Sequence, residues 1–472
     1  MKIEQIYTGC LAQGAYYIES NGEAVVIDPL REVEPYIRKA ENNNAKIKYV
    51  LETHFHADFV SGHIDLSKKT GATIVYGPNA KPAFDAHIAK DGEELRIGNI
   101  TLKVLHTPGH TMESTCYLIS DENGKATGLF SGDTLFIGDV GRPDLAQKLV
   151  SDLTQEKLAG YLFDSLREKI MPLADDIIVY PAHGAGSACG KNMSKETTDT
   201  LGHQKETNYA LRPDMTKEEF IKEVTTGLVA PPAYFPLNVM MNIQGYESID
   251  QVLKRGQQAL SPEAFETAAN ETNALILDTR DPQKFSSGFV PNSINIGIDG
   301  QFAPWVGAMI PDIRQEILLV TDEGRETEVI TRLARVGYDF TIGYLKGGFE
   351  AWKNAGKEID TITSISADQL ANLMNNEKIN ILDVRKKSEY LSEHLIDAES
   401  APLDFINDSM SMIDKNKTFY IHCAGGYRSM IFTSILRARG FDKLIDIKGG
   451  FKAIKEYGTF KLSNYVCPTT LL

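Results

Sequence analysis

Tyr49-Val50-Leu51 leads through Glu52 into Thr53-His54-Phe55-His56-Ala57-Asp58-Phe59, and the fold follows from what this run does. The apolar stretch reads as a strand. Residues two apart on an extended backbone point the same way, so His54 and His56 can face one site just past the strand end. An HxH pair alone is a weak sign, but the same arrangement recurs downstream. His106-Thr107-Pro108-Gly109-His110 comes next, then Ser131-Gly132-Asp133 after an apolar strand, then Pro181-Ala182-His183-Gly184. Each sets a His or Asp just beyond a strand. With only 10 histidines in the chain, several of them on such loops, a metal site is the reading.

Upstream, Tyr16 to Glu19 and Ala24 to Ile27 read as strands joined by a tight turn at Asn21-Gly22. Strands then alternate with helical patterns as far as a proline cluster at Pro231 to Pro236, the expected end of a first domain spanning 1–235. Residues 236–258 read as a linker. Beyond it the chain repeats. Leu277-Asp278-Thr279-Arg280 matches Leu382-Asp383-Val384-Arg385, and Lys346-Gly347-Gly348-Phe349 matches Lys448-Gly449-Gly450-Phe451. Two α/β domains with parallel sheets are expected, over 259–355 and 364–472. Asp383 and Arg385, close to a strand end, read as residues that tie loops together.

The repeat fails at one loop. The second copy carries His422-Cys423-Ala424-Gly425-Gly426-Tyr427-Arg428, between an apolar strand (Thr418 to Ile421) and a helical pattern beginning at Arg428. A thiol at a helix N-terminus, with paired glycines turning backbone N–H groups toward it, is built to ionise and react. The first copy has Thr321-Asp322-Glu323-Gly324-Arg325 there, one residue shorter, and no cysteine lies between Cys189 and Cys423. The middle domain therefore has no thiolate with which to hold sulfur.

Composition narrows the function classes. At 472 residues the chain is too long for one core and suggests about three domains. Lys+Arg 49 against Asp+Glu 64 gives a net charge of -15, which argues against a nucleic-acid partner bound through a basic field. No run is apolar enough to cross a bilayer, the first residues lack a signal-like apolar core, and the 5 cysteines are widely spaced. A cytoplasmic protein with no membrane partner and no disulfide framework is expected.

The HxHxD run and the loops that follow it resemble the metallo-β-lactamase superfamily over approximately residues 1 to 235, which implies an αββα sandwich. The superfamily signature HxHxDH supplies two metals, but here its last position is Phe59, so a single-metal centre is expected. Thr8-Gly9-Cys10-Leu11-Ala12-Gln13, Gly138 to Asp144 and Gly184 to Met193 look most like persulfide dioxygenases. That resemblance implies metal ligands at His54, His110 and Asp133, a set suited to Fe(II), one per chain. A His54/His56/His110 set would suit zinc, and spacing alone does not choose between the two. By the same resemblance His56, Asp58 and His183 orient water and ligands; Arg142, in the loop after Asp133, is a candidate for holding the substrate's carboxylate or phosphate, with a structural salt bridge as the alternative.

The two C-terminal repeats resemble rhodanese domains, the middle one a pseudo-rhodanese. In the last, Cys423 is the expected sulfur carrier with Gly425 and Gly426 at the substrate, and Arg428 is a catalytic candidate for binding thiosulfate or sulfite oxygens, with helix-start packing as the alternative. The whole is then an α/β multidomain protein oxidising a small-molecule thiol persulfide with O2 to sulfite and thiol. Sulfur transfer at Cys423 makes or consumes thiosulfate, and a homo-oligomer is implied. The alternatives are a glyoxalase II-like thioester hydrolase and a non-enzymatic sulfur carrier or persulfide sensor.

Overall fold

The computed structural model describes residues 1–145, 153–191, 193–228 and 230–467. Asn192, in the stretch Gly184 to Met193, and residues 468–472, at the end of the last expected domain, lie outside the described residues. The chain divides into two compact units. One is Met1–Gln251 with Thr331–Asp339; the other is Val252–Ile330 with Phe340–Leu472.

The first unit holds two 6-stranded sheets. One runs Lys2–Thr8, Gln13–Ser20, Glu23–Ile27, Lys46–Leu51, Thr73–Tyr76, His87–Ile88, in chain order from edge to edge. Its hairpin turns at Asn21 (φ 47) and Gly22 (φ 77), the paired left-handed conformations that a two-residue turn of this hand needs. The other sheet is ordered Asp199–Thr200, Ile178–Pro181, Ala126–Gly132, Thr115–Ser120, Ile100–His106, Glu94–Ile97.

Alternation along the strands builds the layers. Tyr16, Ile18, Val25 and Ile27 enter the core between the sheets, where they meet Leu102, Tyr117, Ile119 and Phe130. Their neighbours Ala15, Tyr17, Ala24 and Val26 face the other way, onto Tyr36 and Ala40 of the helix Glu34–Asn42 and Leu66 of the helix His63–Thr70. In the second sheet Leu118 and Leu129 pack outward against Leu158's helix Gln155–Ser165 at Ala159 and Leu162. Helices therefore cover both outer faces, giving the expected αββα sandwich. At about 1.5–3 kcal/mol for each large apolar side chain fully buried, these faces supply most of the favourable energy of the unit.

Residues 236–258, read as a linker, are largely helical. They form the helices Phe235–Gln244 and Ile249–Gly256, and Val239 and Asn242 of the first are buried. The proline at its second position suits a helix start, so the cluster at 231–236 marks an entry into helix as much as a break.

The second unit carries two 5-stranded sheets of matching order. The first is Ala259–Leu260, Thr341–Leu345, Ile317–Val320, Leu275–Asp278, Ile294–Asn295. The second is Thr363–Ile365, Leu444–Ile447, Phe419–His422, Asn380–Asp383, Ala398–Ser400. All pairings in both are parallel, as the strand-helix alternation requires.

Candidate metal centre and sulfur loop

Four loops leave the strand ends at one rim of the sandwich and bring their polar residues together inside it. His54, His110 and Asp133 each offer a ligand atom within 4.8 Å of the others, and all three are buried. Asp133 Oδ2 lies 3.4 Å from His110 Nε2 and 3.9 Å from His54 Nε2. The far side of each imidazole is fixed. His54 Nδ1 is 3.0 Å from Thr53 Oγ1, which donates to Asp28, and His110 Nδ1 donates to the Arg142 carbonyl at 2.8 Å. These contacts leave Nε2 of both rings as the lone-pair nitrogen. Burial, together with the neighbouring histidines, pushes the His54 pKa well below its ordinary value, which keeps it in the neutral ligating form. Neither carboxylate oxygen of Asp133 has a hydrogen-bond partner. An unpartnered buried carboxylate facing the Nε2 atoms of two imidazoles fits a divalent cation.

Close backbone approach makes this geometry possible. A Cβ on Gly141 would lie 2.0 Å from the Asp133 carbonyl and 2.9 Å from His110 Nδ1, so only glycine lets the loop carrying Arg142 close over both ligands. The helix Phe235–Gln244 holds the other side. Asn242 Nδ2 donates to the carbonyls of His56 (2.8 Å) and Phe59 (2.9 Å), while its Oδ1 accepts from Ser61 N (2.9 Å). Nothing in the local sequence pattern marks Asn242 for this task.

Three of the candidate residues meet carboxylates. His56 does not share the His54 site: its Nε2 sits 3.1 Å from Asp28 and 3.3 Å from Glu52. Burial opposes its charge, but these two carboxylates outweigh burial and raise its pKa well above the ordinary value. The strand ends at Leu51, so the rule that alternate residues share a face does not extend to His56. Arg142 is clamped by Asp144 through Nε (2.6 Å) and Nη2 (2.7 Å), and it serves the site through its backbone carbonyl. Arg428 is gripped at both terminal nitrogens by Glu389, at 2.6 and 2.9 Å, which ties the loop's end to the helix Lys387–Ser392. Asp58 and His183 do lie beside the metal cluster, and Cys189, which the spacing does not single out, joins them.

In the second unit Cys423 follows the strand Phe419–His422 and is 1% exposed. Gly426, in the left-handed region at φ 101, donates its N–H to Cys423 Sγ at 3.1 Å, and the helix Tyr427–Ala438 begins directly after it. The repeated glycine pair has a local cause. A Cβ on Gly450 would lie 2.3 Å from the Cys423 carbonyl, and Phe451 N donates to that same carbonyl. Arg385 pairs with Asp383 and lies over Phe451, while Arg280 pairs with Asp278 over Phe349, so these residues tie loops in both copies as expected.

The middle copy also walls the sulfur loop. A cavity of about 250 Å³ is lined by Gly425, Gly426 and Tyr427 on one side and by Gln283, Gly297 and Gly300 on the other. Tyr427 donates its hydroxyl to the Gly297 carbonyl at 2.7 Å, and a Cβ on Gly300 would lie 2.3 Å from its ring.

Residues 8–183 match the metallo-beta-lactamase superfamily, and residues 261–355 and 366–457 each match the rhodanese-like domain. The human mitochondrial persulfide dioxygenase ETHE1 is 30% identical over 204 residues, covering 42% of this chain and 70% of its own. The chain belongs to the metallo-beta-lactamase superfamily. Its second unit adds two rhodanese-like domains to that superfamily fold. A probable hydroxyacylglutathione hydrolase of Schizosaccharomyces pombe is 30% identical over 189 residues, 39% of this chain and 68% of its own. Among solved structures, a metallo-beta-lactamase from Staphylococcus aureus subsp. aureus COL is 34% identical with a TM-score of 0.65, covering 73% of this chain and 99% of that one.

Proposed function

We propose that the first unit is an iron-dependent persulfide dioxygenase and that Cys423 transfers sulfur between persulfide and sulfite. The observation that carries the first part is that two histidines and one carboxylate converge while His56 turns away to Asp28 and Glu52. Such a set suits ferrous iron with open positions, whereas a third imidazole would have suited zinc. When bound by His54, His110 and Asp133, Fe(II) supplies the electrophilic, redox-active centre at which a persulfide sulfur and dioxygen react.

The protein's own groups prepare that reaction. Thr53 and the Arg142 carbonyl hold the two imidazoles in one tautomer, and Asp133 supplies the charge that favours a cation over water. Phe55, Phe59 and Phe136 are buried around the loops and limit bulk water. The balance is RSS⁻ + O2 + H2O to RSH + HSO3⁻. At the second centre the Cys423 sulfur attacks the outer sulfur of a persulfide, the S–S bond breaks and RS⁻ leaves. Sulfite then takes that sulfur from Cys423 to leave as thiosulfate, and the same residues run the sequence backward.

A thioester hydrolase is the second reading, favoured by the likeness to hydroxyacylglutathione hydrolases. Ferrous-loaded protein given glutathione persulfide is expected to consume oxygen, and zinc-loaded protein given a hydroxyacylglutathione is expected to release no thiol above background. The opposite pair of results selects the hydrolase.

The cavity supports a part for the middle domain in holding the sulfur loop, although that domain lacks cysteine. Gly300→Ala should push the Tyr427 ring and the loop behind it, lowering sulfur transfer about tenfold through misplacement of the reacting sulfur while leaving oxygen uptake unchanged. A rate equal to wild type in a thiosulfate-to-cyanide transfer assay would show that the wall has no role.

A further inference from the structure

The guanidinium at the end of the sulfur loop already holds an anion of the protein's own. Arg428 Nη1 and Nη2 donate to the two oxygens of Glu389 at 2.6 and 2.9 Å, the two-point pairing that a guanidinium also makes with tetrahedral oxyanions. The side chain of Arg428 is 16% exposed and that of Glu389 35%, so the carboxylate can turn to water while the guanidinium stays in the fold. Burial opposes the charge of Arg428, but Glu389 first, then Cys423 and Asp404, raise its pKa. The cation is therefore within electrostatic reach of the reacting sulfur. Burial also opposes the charge of Glu389, and Arg428 outweighs it, holding that carboxyl below its ordinary range.

The first repeat shows what bracing alone requires. The Asp-x-Arg pairs and the helices after them, Pro282–Ser287 and Lys387–Ser392, put Lys284 where the second copy has Glu389. Lys284 donates to Asp322, in the loop without cysteine. Both copies thus tie this helix to their loop, with the charges exchanged, so a tie does not need a carboxylate at this place. The cavity beside the loop also narrows the choice of anion site. Of the described residues lining it, Asp281 and Asp299 carry charge and none is Lys or Arg, whereas the loop itself offers Arg428.

We infer that Glu389 is a positioning residue that occupies the oxyanion place of Arg428, so that sulfite or thiosulfate binds only by displacing it. The loop's affinity for oxyanions is thereby held low, which favours release of thiosulfate once it has formed. This inference rests on the reading of Cys423 as the sulfur carrier.

Glu389→Gln in the full chain is the test. Glutamine keeps an oxygen to accept from Lys386 N at the helix start but loses the charge, so its hold on Arg428 weakens with little effect on the helix. In thiosulfate-to-cyanide transfer at constant ionic strength, KM for thiosulfate is expected to fall about tenfold, with the change in KM and not in kcat. Adding Arg428→Gln should cancel that gain, because the two residues act as one pair. An equal or raised KM, a loss confined to kcat, or a gain that survives without Arg428 overturns the inference. A wild type that transfers no sulfur counts against the proposed function, and sulfate protection then decides this point separately. The sulfate concentration that halves iodoacetamide labelling of Cys423, read by mass spectrometry of its peptide, should be about tenfold lower in Glu389→Gln than in wild type. Equal concentrations overturn the inference.

Discussion

His110→Ala is expected to lower persulfide-dependent oxygen uptake about a thousandfold or more. A thousandfold corresponds to about 4 kcal/mol of lost transition-state stabilisation, a reasonable cost for removing one of the ligands that hold a catalytic metal. The arrangement of His110 is what makes the effect large. Its Nδ1 is held by the Arg142 carbonyl and its Nε2 lies 3.4 Å from Asp133, so the ring is fixed with Nε2 facing the carboxylate. Sulfur transfer at Cys423 belongs to the other unit and should be unchanged in a thiosulfate-to-cyanide assay. That second activity is also the control for folding. Oxygen uptake within about threefold of wild type, with iron still bound, would remove His110 from the ligand set.

Cys423→Ser is expected to remove thiosulfate formation and leave oxygen uptake intact. Serine keeps nearly the same volume in a site where Cys423 is 1% exposed and Gly426 N already donates to its side chain. Its hydroxyl does not ionise at neutral pH and cannot carry a second sulfur, so the chemistry is lost with little effect on packing. Given excess persulfide and oxygen, the variant should accumulate sulfite where wild type accumulates thiosulfate. Equal sulfite-to-thiosulfate ratios, after subtraction of the spontaneous reaction of sulfite with persulfide, would break the link between the two centres. Wild type that consumes thiosulfate and thiol to drive oxygen uptake, with a variant that cannot, would keep Cys423 and reverse the direction.

Much of the architecture is legible from local rules, and the misses have definite causes. The Asn21-Gly22 turn, the alternating faces of Gln13–Ser20 and Glu23–Ile27 and the repeated Lys-Gly-Gly-Phe each depend on a few neighbouring residues. That a metal site gathers residues from the loops of His54, His110, Asp133 and His183 was readable because each loop follows a strand, and strand ends of one sandwich share a rim; the choice of His54, His110 and Asp133 among them was implied only by the resemblance. The turn of His56 toward Asp28 and Glu52 was not readable from alternation, because the strand stops at Leu51. Arg428 and Asn242 illustrate the larger limit. Their partners, Glu389 and the His56–Phe59 loop, lie 39 to 186 positions away, and no periodicity records such pairings. The helices within the expected linker were not readable for a related reason: the first is held through Asn242 by the distant His56–Phe59 loop, and proline at a helix start resembles proline at a break.

The most direct measurement uses Cys423→Ser protein, which isolates the first unit's chemistry from sulfur transfer. Metal-free protein is loaded with ferrous iron without oxygen, bound iron is counted, and oxygen uptake and sulfite release are followed together after glutathione persulfide is added. The account predicts one catalytically required iron per chain, lost with His110→Ala, and one sulfite for each oxygen molecule consumed, as the balanced reaction requires. Iron-loaded, folded protein that takes up no oxygen above the uncatalysed rate, or that consumes oxygen without releasing sulfite, would contradict it.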